Sequence, residues 1–200
     1  MRRRALPAVV ALVAALGLVP MLASANHAEV LDPDDATGFL DVARVGVTGD
    51  PMQPRWAIET FGEWSAERLW DRGWLFIYFD TFGSARPDYY ALLRSNGKRI
   101  TGVLRRDRPE KSDYTIAGLD PTRPHRAAVA VRVPLARMRF GDVRAEYRWH
   151  VETVLINRRC RRVCFDQAPD GEAMVEPRPG ASPSPTVTIP SISPSPSPPA

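Results

Sequence analysis

Residues 73–80 read Gly-Trp-Leu-Phe-Ile-Tyr-Phe-Asp, almost all aromatic or β-branched, and the turn-like Thr81-Phe82-Gly83-Ser84 follows at once. Such a run is too short to stand as an isolated helix and has the composition of a strand. With no polar residue before Asp80 it reads as the central strand of a sheet, buried on both faces. The rest of the chain is cut by Pro, Gly and Asp into similar short runs. They are Phe39 to Val47, Trp56 to Phe61, Tyr89 to Arg94, Arg99 to Arg105, Tyr114 to Leu119, Ala127 to Val133 and Arg144 to Leu155. Ser95-Asn96-Gly97-Lys98 between two of them is a strong hairpin signal. Only Ser65 to Asp71, with Ser65 as a cap, and Leu135 to Phe140, after Pro134, read as helical turns. About eight short strands with turns between them predict an all-β fold: an antiparallel, jelly-roll-like β-sandwich with one or two short helical turns and disordered ends.

The ends read differently from the middle. Arg2, Arg3 and Arg4 precede an uncharged apolar stretch, Ala5 to Leu22, and the small-x-small Ala23-Ser24-Ala25. This is the pattern of a secretory signal peptide over 1–25. Pro7, Gly17 and Pro20 interrupt the apolar run, which argues against a retained anchor, so no membrane span is expected after cleavage. Residues 177–200 are almost all Pro, Ser, Thr, Ala and Gly, the composition of an extended, disordered tail. Residues 28–176 remain for a single domain, enough for an ordinary core.

Export removes the apparent basicity. The chain has 27 Lys and Arg against 23 Asp and Glu, and three of the arginines belong to the leader, leaving a near-neutral domain. Arg158, Arg159, Arg161 and Arg162 form a local cluster without interleaved aromatics, so no nucleic-acid partner is expected. The only cysteines, Cys160 and Cys164, read as one local disulfide, which suits an oxidising compartment. Their spacing and the lack of a nearby His fit neither zinc nor Cys-x-x-Cys redox chemistry.

Catalytic signatures are missing. His27, His125 and His150 are far apart, and there is no Gly-x-Ser-x-Gly, no His-Glu-x-x-His and no phosphate-cradling Gly loop. Glu63, Glu67, Asp80 and Asp88 offer carboxylates for glycoside hydrolysis, but nothing selects a pair. No catalytic residue is assigned and the chain is read as a non-enzyme. Two features point to binding. Asp32, Asp34, Asp35 and Asp41, around Pro33 and Gly38, offer the oxygen ligands a calcium ion needs, in a spacing that is not an EF-hand; the alternative is a solvated, turn-capping loop. Trp64, Trp70, Tyr90 and Asp88 are candidate ligand-binding residues, Trp64 as an exposed platform for a sugar ring. Trp56, Trp74 and Trp149 are assigned to the core, and Asp80 to a turn cap.

The segments Asp32 to Val42, Thr60-Phe61 with Trp64, Leu75-x-x-Tyr78-Phe79-Asp80-Thr81, Asp88-Tyr89, Val129 to Pro134, Tyr147-x-Trp149 and Cys160 to Asp166 with Pro169 together resemble a group of exported actinobacterial proteins without an assigned activity. The strand ending in Asp-Thr, with its acidic loop, is also similar to sandwich modules of the DOMON and family-nine carbohydrate-binding type. That second resemblance implies a sandwich that binds sugar, sometimes with calcium or haem. Met52, Met138 and Met174 have no evident His partner, so haem is set aside. The expectation is a secreted, non-catalytic binding module for a cell-wall or environmental glycan, with calcium-supported loops. The alternative is a structural or protein-partner-binding protein of the cell envelope without affinity for sugars.

Overall fold

The computed structural model describes residues 28–84, 86–141, 146–157, 160 and 162–180. The expected leader, the arginines at 158, 159 and 161, and the tail beyond 180 lie outside the described residues. Two antiparallel sheets face each other. The smaller has the order β1 (Ala28–Leu31), β2 (Val42–Thr48), β3 (Arg55–Thr60), β8 (Ala128–Arg132). The larger runs β10 (Arg162–Ala168), β9 (Glu146–Asn157), β4 (Gly73–Asp80), β5 (Tyr89–Ser95), β6 (Ile100–Arg106), β7 (Tyr114–Leu119). A seventh strand, β11 (Met174–Pro177), also pairs with β9, beyond the end of β10. The fold is therefore the expected antiparallel sandwich.

The core lies between the sheets and is built from alternate residues, as the period of a strand requires. Leu75, Ile77 and Phe79 of β4, Ala91 and Leu93 of β5, and Trp149 and Val151 of β9 face Val45, Trp56, Ile58, Val129 and Val131 of the smaller sheet. Trp56 stands edge-on to Phe79 and Trp149, with ring centroids 5.3 and 6.3 Å away. Among the described residues helical structure is slight: a short helix, α1 (Ala66–Leu69), capped by Ser65 as expected, and a 3-10 turn over Leu135–Arg137. Asp71 closes α1 at φ 55°, a left-handed conformation that Asp tolerates better than most residues.

Two expectations need correction. β4 is fully buried on one face only: its pattern alternates strictly, and Trp74, Phe76 and Tyr78 on the outer face are partly exposed. No second layer covers this side of the larger sheet among the described residues, so Trp74 is not a core residue. Three strands were also not foreseen, β1, β10 and β11. β1 and β11 have four residues each, and β10 follows directly on the arginine cluster.

Candidate functional site

Register places the outer face of the larger sheet in rows. One row runs Phe165, Val154, Trp74, Arg94, Thr101; the next Gln167, Glu152, Phe76, Leu92, Val103; a third His150, Tyr78, Tyr90, Arg105. Tyr78 lies at the centre. Phe76 stacks on it at 5.5 Å and His150 at 5.0 Å, while Tyr90 leans against both Phe76 and Tyr78. Burial, then the Glu152 charge, raise the Tyr78 hydroxyl above its ordinary pKa. These rings pack on one another across the strands. Tyr90 donates its hydroxyl to Asp113 (2.7 Å).

At one end of this face, Trp74 and Trp70 line one cleft. Trp70 follows α1 directly and is 60% exposed. Its ring lies over the hairpin, 3.6 Å from where a Cβ on Gly97 would stand. Trp70, Asp71, Gly73, Trp74, Arg94, Ser95, Asn96 and Thr101 line a cleft of about 320 Å³. Two indoles border this cleft, but most of its exposed lining is polar: hydroxyl, amide, guanidinium and carboxylate groups beside the exposed Trp70 ring, the kind of mixed surface that a sugar can use.

Trp64 is not there. It is 4% exposed, its Nε1–H donates to the Thr60 hydroxyl (3.0 Å), and the Arg123 guanidinium covers its ring at 3.5 Å. The exposed platform expected of it is thereby corrected. Phe61-Gly62-Glu63 reads as a loop, but it folds back tightly: a Cβ on Gly62 would stand 2.6 Å from the Phe39 Cα. Asp88 is also not free for a ligand. One carboxylate oxygen accepts the backbone N–H groups of Thr81 (2.8 Å) and Phe82 (3.0 Å), closing the turn after β4. Burial raises its pKa and those two N–H groups pull it back. Asp80 caps the same turn, as expected, by accepting from Gly83 and Ser84.

The acidic loop gathers where the two sheets meet at one edge. Asp32 and Asp35 come together with Asp166 of β10, and one carboxylate oxygen of each lies within 4.8 Å of the other two. Asp41 and Asp34 interact beside them. Asp166 is held by the backbone N–H groups of Val42 (2.7 Å) and Gln167 (2.8 Å). Asp41 accepts from Ala36 N–H (3.1 Å) with one oxygen only. Asp32 is 7% exposed and neither of its oxygens has a hydrogen-bond partner; the Asp170 backbone N–H approaches without reaching bonding geometry. Burial and then the Asp166 charge push Asp32 up to about 7. Burial, then Asp34, push Asp41 up to about 7 as well. The loop is pinned from outside: Thr153 donates to the Leu40 carbonyl (2.7 Å), and the Cys160 sulfur lies 3.5 Å from the Thr37 carbonyl. Cys160 and Cys164 form the expected disulfide, their Cα atoms 5.1 Å apart.

Sequence reasoning thus found four carboxylates of this cluster and missed Asp166, which lies 125 residues beyond Asp41 and was assigned to no element. Trp70 is the one tryptophan of the proposed ligand set that stands exposed. The domain is an antiparallel sandwich with an open aromatic sheet face, an indole-lined cleft at one end and an acidic cluster at one edge. Comparison with known proteins finds no matching family, no curated protein and no solved structure. Among the described residues no helix is long and apolar enough to cross a membrane.

Proposed function

We propose that the chain is an exported, non-catalytic binding module whose ligand is a glycan. The observation that carries this reading is the cleft between Trp70 and Trp74, with Asp71, Arg94, Asn96 and Thr101 at its rim. An indole held exposed beside a second indole offers a pyranose ring a flat, weakly hydrated surface, and the rim groups match its hydroxyls. The partly buried Phe76, Tyr78 and Tyr90 continue the aromatic surface along the sheet. The histidines support the non-catalytic part. Among the described residues His150 is engaged by Glu152 and Tyr78, and His125 pairs with Glu59.

The test is a screen of soluble polysaccharides and arrayed glycans, followed by titration of any hit. Trp70→Ala should weaken binding about tenfold or more, since that is the effect of losing about 1.4 kcal/mol of ring contact. It should leave the melting temperature almost unchanged, because the ring is exposed. Wild-type affinity in Trp70→Ala removes the cleft from the account. A blank screen, with and without calcium, removes the glycan.

One observation favours the second reading, a protein partner in the envelope. At the β9–β10 end of the same face, Ile156, Val163 and Phe165 are each about half exposed and adjacent in register. Clustered exposed aliphatic and aromatic groups mark protein interfaces more often than sugar sites. Phe165→Glu distinguishes the two: it abolishes association with a protein partner and leaves a Trp70-centred glycan site intact.

A further inference from the structure

We propose that Asp32, Asp35 and Asp166 form a calcium site, with Asp41 and Asp34 adding charge beside it, that clamps the two sheets together at their shared edge. This does not rest on the glycan reading. A carboxylate taken out of water needs partners for its oxygens, and both Asp32 oxygens lack one. Asp41 has one oxygen in the same condition. Among the described residues none of these five carboxylates has an ion pair with Lys, Arg or His. Like charges crowded in this way are relieved either by protons, which carboxylates hold poorly above neutral pH, or by a cation between them.

The geometry fits a cation. Calcium–oxygen bonds of about 2.4 Å place ligand oxygens no more than about 4.8 Å apart. The three carboxylates meet that limit pairwise. The donor set is all oxygen, without His or Cys, which selects a hard cation. Asp35 is exposed, so water can complete the coordination shell. Calcium tolerates the irregular, partly hydrated shell that a loop and a strand supply, whereas magnesium requires a near-ideal octahedron. Asp166 is oriented in advance by the Val42 and Gln167 N–H groups, and its oxygens keep lone pairs for an ion.

The site joins the edges of the two sheets, where the Val42 N–H already meets Asp166 and Thr153 already meets the Leu40 carbonyl. Asp32 directly follows β1, an edge strand of the smaller sheet, and Asp166 belongs to β10, an edge strand of the larger. The ion would therefore close the open side of the sandwich.

The experiment measures the melting temperature and the heat of calcium titration on the full chain, after chelator treatment and dialysis. Wild type should be stabilised by millimolar CaCl2, and less by the same concentration of MgCl2, with a Kd in or below the range of about 10⁻⁴ to 10⁻³ M found in extracellular modules. Asp35→Asn should weaken calcium about tenfold or more while leaving the calcium-free melting temperature the same or slightly higher, because Asp35 is exposed and its charge adds to the repulsion on Asp32 and Asp166. Asp32→Asn should reverse sign. Without calcium it should melt higher than wild type, since the amide is uncharged and can donate to its carboxylate neighbours. With calcium it should gain little. The proposal is overturned if about 10 mM calcium changes neither the melting temperature nor the heat signal of wild type. It is also overturned if both variants respond like wild type, or if magnesium or zinc stabilises more than calcium.

Discussion

Trp64→Ala should lower the unfolding free energy by about 3–5 kcal/mol, the usual result of emptying a buried aromatic site. The affinity of the folded protein for any ligand at the Trp70–Trp74 cleft should stay the same. Trp64 contributes twice. Its ring is packed in the core, and its indole N–H binds the Thr60 hydroxyl, which itself contacts the Gly62 and Ala127 carbonyls. Arg123 lies over the ring and donates to the carbonyls of Trp64, Ala128, His125 and Arg126, so one guanidinium holds the 123–128 turn against the 60–64 loop. Burial lowers the Arg123 pKa, which shows how far that cation has left water. Removing the indole leaves it over a cavity. Trp64→Phe keeps most of the area and loses the hydrogen bond, so a drop of about 1–2 kcal/mol is expected. Urea unfolding measures both. If Trp64→Ala unfolds within about 0.5 kcal/mol of wild type, the ring does not belong to the core.

Trp56→Ala is expected to be as damaging, at the upper end of the same range of about 3–5 kcal/mol. Its ring reaches from the smaller sheet to Phe79 and Trp149 of the larger one, and such edge-to-face pairs each add about 0.5–1.5 kcal/mol beyond buried area. For a domain with a total stability of about 5–15 kcal/mol, that leaves a marginal fold. Phenylalanine should be far milder, at under about 2 kcal/mol. The Trp56 indole N–H is buried without a partner. Removing an orphan donor offsets part of the lost packing. Equal losses for Trp56→Ala and Trp56→Phe in urea unfolding would show that the N–H is satisfied after all.

These two residues show what could be read in the sequence and what could not. Trp56 alternates with Ile58 in a strand-like run, and both face inward as period two requires. Trp64 sits in a Gly-containing segment that looks like a loop, and its cover by Arg123, 59 residues further along the chain, could not be read locally. Trp74 was misplaced for the opposite reason. A continuous apolar run does not say how many faces are covered, and here the period-two alternation within β4 separates Leu75, Ile77 and Phe79 from Trp74, Phe76 and Tyr78. The hairpin at Asn96-Gly97, the Ser65 cap and the Cys160–Cys164 bridge are local features, so residue type alone located them. The acidic loop was located in the same way. Its fifth member was not, because Asp166 joins it through the pairing of β9 with β10. Asp88 looked like a free carboxylate until its turn placed two backbone N–H groups on one oxygen.

The arrangement around β9 bears on how the chain can be shortened. Its first part, Glu146 to Trp149, pairs on one side with β11, while Val151 to Asn157 pairs with β10. Trimming before Met174 would strip the backbone N–H and C=O groups of that first part bare along one margin, next to the core residues Tyr147 and Trp149. Bare strand margins recruit other chains. A version ending at residue 173 should therefore self-associate on size exclusion, while one ending at residue 180 stays monodisperse. The Pro-rich extension can be removed for crystallisation, but the four residues 174–177 cannot.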